Sequence, residues 1–506
     1  MYDHLEVEKK WQKYWADHET FKTDVWDFSK PKFYALDMFP YPSGVGLHAG
    51  HPEGYTATDI VSRMKRMQGY NVLHPMGYDS FGLPAEQYAV QTGNNPNGFT
   101  QKNIKTFTKQ LKELGFDYDW SKMIATSDPE FYHWTQWIFK QLYKDGYAKY
   151  VDMPVNWCEE LGTVLSNDEV IDGKSERGGY PVIRKNMKQL CIDQAAFAER
   201  LLEGLNEIDW PASTKEMQRN WIGRSTGVEV QFEIVGGGKF SIFTTCIETI
   251  YGITFMVLAP DGDLVQELMP RIKNQDEVKA YIQETVSKSE MDRTELNKGK
   301  TGCRLEGIKA INPVNGREVE VFIGDFVLAN YGTGAVMAVP SHDQRDFEYA
   351  IAHNIDRIQV IEGQDVSEHA FEKQDYLGKG CKLINSEEFT GLTVEEAKVA
   401  ITKKLVDMGI AKETVNYRFR EWIFARQRYW GEPVPIVHLE DGTDYVLPDE
   451  ELPLILPELE DYKGHNGKAP LENATEWKQY NQNGVKGVRE TSTMPGSAGS
   501  SWHYLR

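Results

Sequence analysis

Residues 38–51 read MFPYPSGVGLHAGH, and this stretch decides the expected fold. The apolar run KFYALDMF at 32–39 leads into it and predicts a buried strand. NVLHPMGYD at 71–79 predicts a second strand. Between them, apolar residues recur at helical spacing from about His51 to Met67, namely Tyr55, Ile60, Val61, Met64 and Met67. Strand, glycine turn, helix and strand form a βαβ unit, which is typical of an α/β protein with a parallel sheet and ligands at the strand carboxyl ends.

The composition predicts a large soluble protein. The 506 residues suggest about three domains, with 40% hydrophobic and 26% charged residues. No apolar run is long enough for a membrane span, and the start, MYDHLEVEKKWQKYW, lacks the features of a secretory signal. The net charge of −20 argues only weakly against a nucleic-acid partner, because a local basic strip can still bind phosphates. Five cysteines without a CxxC pair favour the reducing cytoplasm.

Several changes of pattern predict the domain organisation. Residues 151–186 are rich in turns and predict a small β insert. From about 226 to 414, strands such as VEVQFEIV and KFSIFTTC indicate a separate β-rich domain, with helices near 275–289, 343–353 and 393–408. The chain returns to the first domain near Tyr417, and residues 438–485 are acidic and loop-like, which predicts a second insertion.

The turn with two histidines indicates a phosphate site. A helix N-terminus presents unpaired N–H groups and a partial positive charge. Gly44, Gly46 and Gly50 allow a ligand close to the backbone, and His48 and His51 can donate hydrogen bonds to developing negative charge. Two alternatives remain open at this point: a metal site, although no third ligand is evident nearby, or polar residues at a helix cap.

The same stretch resembles the histidine signature of class I aminoacyl-tRNA synthetases in its leucine-specific form. Further motifs similar to that family follow in order: GYDSFGLPAEQYA (77–89), WIGRS (221–225), GTGAVMAVPSHDQRD (332–346), FARQRYWGEPVP (424–435) and the closing ETSTMPGSAGSSWHYLR. Their order and spacing are those of bacterial-type leucyl-tRNA synthetases. The nearest alternatives among enzymes are the valine and isoleucine ligases, and a different class of alternative is a tRNA-editing or tRNA-binding module without ligase activity.

The resemblance implies an α/β fold with a Rossmann-type (HUP-like) parallel-sheet catalytic core interrupted by a β-rich editing domain. Residues 1–225 would be the first half of the core, with the small insert at 151–186. Residues 226–414 would be the editing (CP1) domain, and residues 415–506 the second half of the core, with an insertion at about 438–485.

For catalysis, the resemblance implies activation of leucine by ATP, with Mg²⁺ accompanying the ATP, and transfer of leucine to tRNA(Leu). His48 and His51 would stabilise the phosphates, and the ATP site would comprise Pro42, Gly44, His48, Gly50 and His51. The leucine site would comprise Met38, Phe39, Tyr41, Asp79 and His503, with Asp79 accepting the ammonium group. From the residues alone, Asp79 also fits a local turn, and the three apolar residues also fit a core. Ser497 and His503 depart from the aromatic residues usual in the family. ARQRYW, with Arg426 and Arg428, is a candidate tRNA contact, or alternatively a salt-bridged surface strand.

A second, hydrolytic site is expected because one pocket discriminates aliphatic side chains only about 10- to 200-fold. The resemblance places it at FTTCIETIYGIT (243–254) and in the motif that ends at Asp346; its residues would be Thr244, Thr245, Thr249, Met337, Asp343 and Asp346. The alternatives are ordinary strand threonines, and an acid in a helix first turn with Ser341 as the cap. Cys246, Ile247 and Glu248 replace the Arg-Pro-Asp usual in the family. A serine-protease interpretation of Ser341, His342 and Asp343 fails, because adjacent residues cannot relay a proton along the chain.

Two family features are not found in the sequence. The insert at 151–186 retains only Cys158, so we predict no structural zinc there and no other metal site. The lysine- and serine-rich KMSKS loop and the anticodon-binding domain are also missing, so the chain is expected to be an N-terminal part that activates leucine poorly. The remaining predictions are a monomer without a membrane partner, located in the cytoplasm.

Overall fold

The computed structural model describes residues 3–42, 44, 46–165, 169–171, 173–176, 178–286, 293, 301–329, 333–419, 421–464 and 468–506. The expected helical residues 287–289 and parts of the small insert and of the 332–346 motif lie outside this set. The chain forms two compact units. The first unit comprises Met1–Leu165, Lys185–Asp193 and Trp422–Arg506, and the second comprises Ser166–Arg184 and Gln194–Glu421.

The helices of the described residues are α1 (His4–Asp17), α2 (Gly50–Met67), α3 (Leu83–Thr92), α4 (Pro96–Leu114), α5 (Pro129–Lys144), α6 (Ala198–Glu207), α7 (Ala212–Ile222), α8 (Asp263–Leu268), α9 (Gln275–Val286), α10 (Gln344–Ala352), α11 (Lys373–Tyr376), α12 (Val394–Asp407) and α13 (Thr475–Lys478). The helices predicted near 275–289, 343–353 and 393–408 are confirmed as α9, α10 and α12 over their described residues. Within the described ranges, no helix is both long and apolar enough to cross a membrane.

The strands are β1 (Lys32–Tyr34), β2 (Asn71–Leu73), β3 (Gly77–Tyr78), β4 (Ile124–Ala125), β5 (Ala148–Cys158), β6 (Thr163–Leu165), β7 (Val170–Ile171), β8 (Lys174–Ser175), β9 (Ile183–Ile192), β10 (Ser225–Ile234), β11 (Lys239–Thr244), β12 (Phe255–Leu258), β13 (Gly302–Ile311), β14 (Glu318–Gly324), β15 (Ala335–Ala338), β16 (Ala411–Asn416), β17 (Trp422–Ile423), β18 (Ile436–Leu439), β19 (Asp444–Val446), β20 (Gln479–Gln482) and β21 (Val485–Arg489).

The predicted βαβ unit is present in the first unit. β1 pairs in parallel with β2, in the register Phe33 to Val72, and α2 connects them. β3 and β4 form a second parallel pair. Over the described ranges these pairs remain separate two-stranded sheets rather than one continuous sheet. The strand expected at 32–39 is also shorter than predicted: pairing continues to the amide of Ala35, 2.9 Å from the Leu73 carbonyl oxygen, and then gives way to buried polar contacts of Asp37.

The apolar residues that recur along α2 do not form a buried face. Tyr55 is buried, but Ile60 is 62% and Met67 is 82% exposed. The helix packs instead through polar groups. Ser62 donates a hydrogen bond to Asp117 at 2.7 Å, and the Arg66 guanidinium lies 2.9 Å from the same carboxylate. Because paired polar groups occupy the inner face of α2, most of its apolar residues lie on the exposed face.

The acidic segment 438–485 is more ordered than expected. β18 and β19 form a hairpin, β20 and β21 form another, and the four strands make one antiparallel sheet in the order β19-β18-β21-β20. Val437, Leu447, Leu454 and Tyr480 pack together beneath it. Acidic side chains occupy the exposed positions, which is why the composition resembled that of a loop.

The second unit is built on a mostly antiparallel sheet. Its strands follow the order β11-β10-β13-β14-β12-β15 over the described residues, with β16 also paired to β10. The strands predicted from VEVQFEIV and KFSIFTTC are confirmed as β10 and β11. β11 also lies against β15, which brings the end of β11 close to the strand that contains Met337. A large apolar core, with α12 packed on it, supports this arrangement.

Candidate functional site

His48 and His51 lie together at the start of α2. Their rings stack with centroids 3.7 Å apart, and the Gly50 amide donates to Nδ1 of His48 at 3.1 Å. The His48 amide donates to Nδ1 of His51 at 3.2 Å. Ala49 stands at the cap position and forms no side-chain cap, and the first amides of α2 bond His48 instead: Gly50 donates to its Nδ1 and His51 to its carbonyl oxygen, at 3.1 Å each.

Burial lowers the pKa of His51, and the nearby His48 lowers it further, so the His51 ring is neutral at pH 7. Because its Nδ1 accepts a hydrogen bond, the neutral ring carries its proton on Nε2. His48 is held in the same way by the Gly50 amide, and its side chain is exposed. The pair therefore presents N–H donors beside a helix N-terminus, as the phosphate interpretation requires.

Two side chains of α4 hold the turn in place, and the sequence reasoning missed both. The Asn103 amide donates to the Pro42 carbonyl oxygen at 2.9 Å, and the Gln110 carbonyl oxygen accepts from the Leu47 amide at 2.8 Å. A Cβ atom added at Gly46 would lie 2.6 Å from Gln110, so glycine is required there. The signal was the glycine, but its partner lies more than 60 residues further along the chain.

Asp79 lies directly after β3, as predicted, and is 8% exposed. Burial raises its pKa to about 6, while hydrogen bonds from Ser500 and Thr126 partly offset this effect. The Thr126 hydroxyl lies 3.3 Å from Oδ1. A buried carboxylate with only two hydroxyl donors retains the capacity to accept an ammonium group.

The structure brings three of the other predicted leucine-site residues near Asp79 and leaves one outside. The Phe39 ring packs against that of His503, with centroids 4.3 Å apart and the ring planes tilted by 38°. The ring of Tyr41 covers Gly82, where an added Cβ atom would lie 2.5 Å from it. Met38, however, is 87% exposed. Its main-chain oxygen accepts from the Tyr55 hydroxyl at 3.1 Å, so this contact fixes the backbone rather than the side chain. Ser497 is exposed as well.

A buried polar network anchors the segment that leads to these residues. His74 is fully buried, and its two ring nitrogens lie 2.6 Å from Asp117 and 3.1 Å from Asp37. The Tyr118 hydroxyl donates to Asp37 at 2.7 Å. Burial lowers the pKa of His74, but hydrogen bonds to the two carboxylates outweigh it and the net pKa is raised. The imidazolium form is therefore favoured, because only it donates from both nitrogens.

His74 and Asp117, together with Asp59, form the group of potential metal ligands found among the described residues. Their lone pairs are already used: Arg63 bonds Asp59 at 2.8 Å, and Arg66 bonds Asp117 at 2.9 Å. The group is an ion-pair network, and its cationic members oppose metal binding.

In the second unit, the predicted threonines cluster after β11, but their hydroxyls are partly engaged. The Thr244 hydroxyl oxygen accepts from the Cys246 amide at 3.0 Å, and the Thr249 hydroxyl donates to the Cys246 carbonyl oxygen at 2.8 Å. Thr249 is only 1% exposed. Thr245 is half-buried, and its carbonyl oxygen accepts from Lys398 at 2.9 Å. Lys398 thus places a cation beside a segment that has lost the arginine usual in the family.

Glu248, which stands where the family has Asp, is buried, and burial raises its pKa. One carboxyl oxygen accepts from the Tyr376 hydroxyl at 3.1 Å. The substituted segment is therefore packed into the unit.

The residues from the second editing motif are also brought near this segment. Asp346 is 7% exposed, and its carboxylate accepts from the Val339 amide at 2.9 Å. Met337 lies half-buried on β15, opposite Met256. Asp343 caps α10 by accepting from the amides of Arg345 and Asp346. The alternative with Ser341 as the cap is wrong, because Asp343 takes that position and the Ser341 hydroxyl is buried without a partner in the described part of the chain.

Comparison with known proteins agrees with both units. The family model described as "Leucyl-tRNA synthetase, editing domain" matches residues 219–406, and that described as "tRNA synthetases class I (M)" matches residues 36–173. The chain is similar to the agnB2 LeuRS of Agrobacterium radiobacter K84, solved as a ternary complex with tRNA and LeuAMS. Sequence identity is 33%, the TM-score is 0.83, and the match covers 100% of this chain and 60% of that one.

The chain belongs to the leucyl-tRNA synthetase family. It contains a class I synthetase catalytic core and a leucyl-tRNA synthetase editing domain, and it spans 60% of the length of the Agrobacterium synthetase.

In the first unit, the arginines proposed to contact tRNA do not form a surface strand. Arg426 is 6% exposed and donates to the carbonyl oxygens of Ile423 and Ala425 at 2.7 and 3.2 Å. Arg428 is partly buried and faces the buried carboxylate of Glu86. Both side chains therefore stabilise the core segment, and the alternative of a salt-bridged surface strand is wrong for Arg426.

A cavity of about 800 Å³ lies elsewhere in the first unit, bordered by α1 and α4 through residues such as Trp15, Phe21, Ile104, Phe116 and Trp120. None of the predicted site residues borders it. The cavity is therefore not part of the candidate site at the histidine turn.

Proposed function

We propose that the chain is the catalytic and editing part of a leucine–tRNA ligase, which activates leucine with ATP, transfers it to tRNA(Leu) and hydrolyses mischarged tRNA. The observation that carries the proposal is the placement of two sites in one unit: the stacked histidines at the α2 N-terminus, and Asp79 beside Phe39 and His503. The leucine editing-domain match at 219–406 favours leucine over valine or isoleucine. The related synthetase is solved with LeuAMS, a leucyl-adenylate analogue, and tRNA.

In the proposed activation step, the leucine carboxylate attacks the α-phosphate of ATP, and pyrophosphate leaves. Asp79 holds the leucine ammonium, and Phe39, Tyr41 and His503 surround the side chain. His48 and His51 donate to the phosphate oxygens, beside the positive end of the α2 dipole. Charge develops on those oxygens during the step, so donors fixed in advance lower the barrier. No covalent bond to the enzyme is required.

Several finer assignments belong to the same proposal. The β1–β2 and β3–β4 pairs are the parallel strands of a Rossmann-type core, and Mg²⁺ enters with ATP and neutralises phosphate charge. The ligase is a cytoplasmic monomer. Within the described residues the five cysteines form no disulfide, which is compatible with a reducing compartment.

Leucine-dependent ATP–pyrophosphate exchange tests the ligase proposal. We expect exchange above the no-enzyme rate with leucine and a lower kcat/KM with isoleucine and valine, because the pocket fits the γ-branched side chain. The Asp79→Asn variant should lose about 10- to 100-fold in kcat/KM for leucine, since a charge-assisted hydrogen bond is removed. A higher kcat/KM for exchange with valine or isoleucine than with leucine would contradict the leucine assignment. If exchange is absent both from this chain and from an extended enzyme, while mischarged tRNA is hydrolysed, the chain is an editing module.

For editing, we propose that Asp346 holds the ammonium group of the misplaced amino acid, while the Thr244–Thr249 segment surrounds the ester. Asp343 positions Asp346 through the cap of α10. We expect the chain to deacylate norvalyl- and isoleucyl-tRNA faster than buffer does. Asp346→Asn should reduce this hydrolysis by about 100-fold, because the charge is lost while the hydrogen bond to the Val339 amide can persist.

The matched control is Asp356→Asn, which removes an exposed carboxylate of the same unit, from a pair with Arg317. It should leave hydrolysis unchanged. Unaltered hydrolysis in the Asp346→Asn protein would exclude the ammonium role of Asp346. If the unmodified chain hydrolyses the mischarged ester no faster than buffer does, the substitutions at Cys246, Ile247 and Glu248 have inactivated the site.

A further inference from the structure

Glu432 is a buried acid whose role is not explained by packing. It lies in FARQRYWGEPVP and is 0% exposed. Its main chain is anchored, since its carbonyl oxygen accepts from the Met494 amide at 2.8 Å. Neither side-chain oxygen, however, has a hydrogen-bond partner of normal geometry in the described part of the chain. An unpaired buried carboxyl group is costly, so a fold keeps one where a ligand completes it.

The neighbours of this carboxyl group connect it to Asp79. A Cβ atom added at Gly499 would lie 2.9 Å from Oε1 of Glu432 and 3.1 Å from Cβ of Thr126. The Thr126 hydroxyl in turn lies 3.3 Å from Oδ1 of Asp79. Gly499 thus leaves the space that the Glu432 carboxyl group occupies, and Thr126 lies between Gly499 and Asp79. A second link runs through Trp430, which donates to the carbonyl oxygen of Ser80 at 2.9 Å.

The charges around the two acids favour the binding of a cation. Burial, with Asp79 as a further cause, raises the pKa of Glu432 well above its usual range. The backbone amides of Glu432 itself and of Gly499 oppose this, but the net pKa remains raised. The remaining ionisable group that faces Glu432 is the phenol of Tyr132, whose pKa is raised by burial and by that acid. Within the described residues, no basic side chain contributes to the pKa of either Asp79 or Glu432.

We propose that Glu432 is a second ligand for the α-ammonium group of leucine, acting beside Asp79. This inference rests on the proposed function, because it assigns a contact in the same amino-acid site. A primary ammonium group has three N–H donors, which one carboxylate in a buried site does not satisfy alone. Its positive charge stabilises the ionised form of Glu432, so the proton held by the free site is released to solvent as the ligand binds.

The test compares LeuAMS with its deamino counterpart, which lacks only the ammonium group, in the unmodified chain and in Glu432→Gln. Glutamine keeps the shape but not the charge, and it removes an unpaired buried acid, so the variant should fold with an equal or higher melting temperature. We expect LeuAMS to bind Glu432→Gln about 10- to 100-fold more weakly, while the deamino compound changes less than about twofold. A structural role for Glu432 would weaken both compounds equally.

Calorimetry at pH 7.5 in two buffers of different ionisation enthalpy gives a second readout. At that pH Asp79, with a pKa of about 6, is largely ionised and contributes little. We expect proton release on LeuAMS binding in the unmodified chain, and its loss in Glu432→Gln. Glu86→Gln is the control, since Glu86 is also buried but already accepts from the Tyr429 amide at 2.8 Å. That variant should leave the ratio of the two affinities and the proton release unchanged.

The outcomes separate this inference from the proposed function. If the unmodified chain binds LeuAMS no better than its deamino counterpart, the amino-acid site itself is misassigned and both proposals fall. If it prefers LeuAMS, and Glu432→Gln retains the same preference, only the role of Glu432 is overturned.

Discussion

Replacement of His74 by alanine is expected to destabilise the first unit by about 3–5 kcal/mol at pH 7. The imidazole lies between Asp37 and Asp117, at 3.1 and 2.6 Å, and all three side chains are almost completely buried. Removal of the ring leaves two carboxylates without their shared donor, and their desolvation is no longer offset. His4→Ala is the control, because His4 is exposed in the same unit and its loss should change stability by less than about 0.5 kcal/mol.

Tryptophan fluorescence during urea unfolding can measure this effect selectively. Eleven of the 13 tryptophans lie in the first unit, and only Trp210 and Trp221 lie in the second. The signal therefore reports mainly the unit that contains His74. A midpoint for His74→Ala equal to that of the His4→Ala control would show that the network contributes little to the stability of the unit.

The same network predicts how stability depends on pH. The folded pKa of His74 is raised, so its contribution is complete below the unfolded value near 6.5 and is lost as pH rises through the folded pKa. The folded pKa of Asp117 is lowered, so its contribution is present above the unfolded value and is lost as pH falls through the folded one. The combined contribution is therefore greatest between about pH 4 and 6.5. A histidine NMR titration in which every imidazole titrates at or below its ordinary pKa would contradict this assignment.

The sequence predicted the elements of the first unit better than the faces they bury. Periodicity located α2, and the run of apolar residues located β1 and β2, since these signals are local. Which face of α2 points inward depends on Asp117, which accepts from Ser62 and Arg66 across more than 50 residues. No window of sequence around α2 contains that carboxylate, so helical spacing alone could not show that Ile60 and Met67 are exposed.

In the candidate site too, local signals were predicted and distant contacts were missed. Asp79 was found because it follows a predicted strand, and the histidines because they follow a glycine turn. Asn103, Gln110 and Glu432 were missed because their partners are distant: Trp430, two residues before Glu432, bonds Ser80 across 350 residues. The sequence offered no signal for Glu432, because Arg426 and Arg428 lie within six residues of it and its burial is not visible in the sequence.

Replacement of both His48 and His51 by alanine is expected to reduce leucine-dependent ATP–pyrophosphate exchange by about 1000-fold. Loss of one fixed donor to a developing oxyanion costs about 100- to 1000-fold. The two rings stack at 3.7 Å and serve the same phosphates, so their separate losses should not multiply. The effect should appear in kcat more than in the KM for ATP, because the donors act on charge that grows as pyrophosphate leaves.

The measurement uses this chain and, where its exchange is too slow to follow, an extended enzyme with the same substitutions. His18→Ala is the control: His18 is exposed at the end of α1, where its ring bonds the Tyr14 carbonyl oxygen, so exchange should be unchanged. Single variants should each lose most of the rate, because the two rings stack on each other and serve the same phosphates. If the double variant keeps more than about a tenth of the exchange rate, the rings do not contact the reacting phosphates.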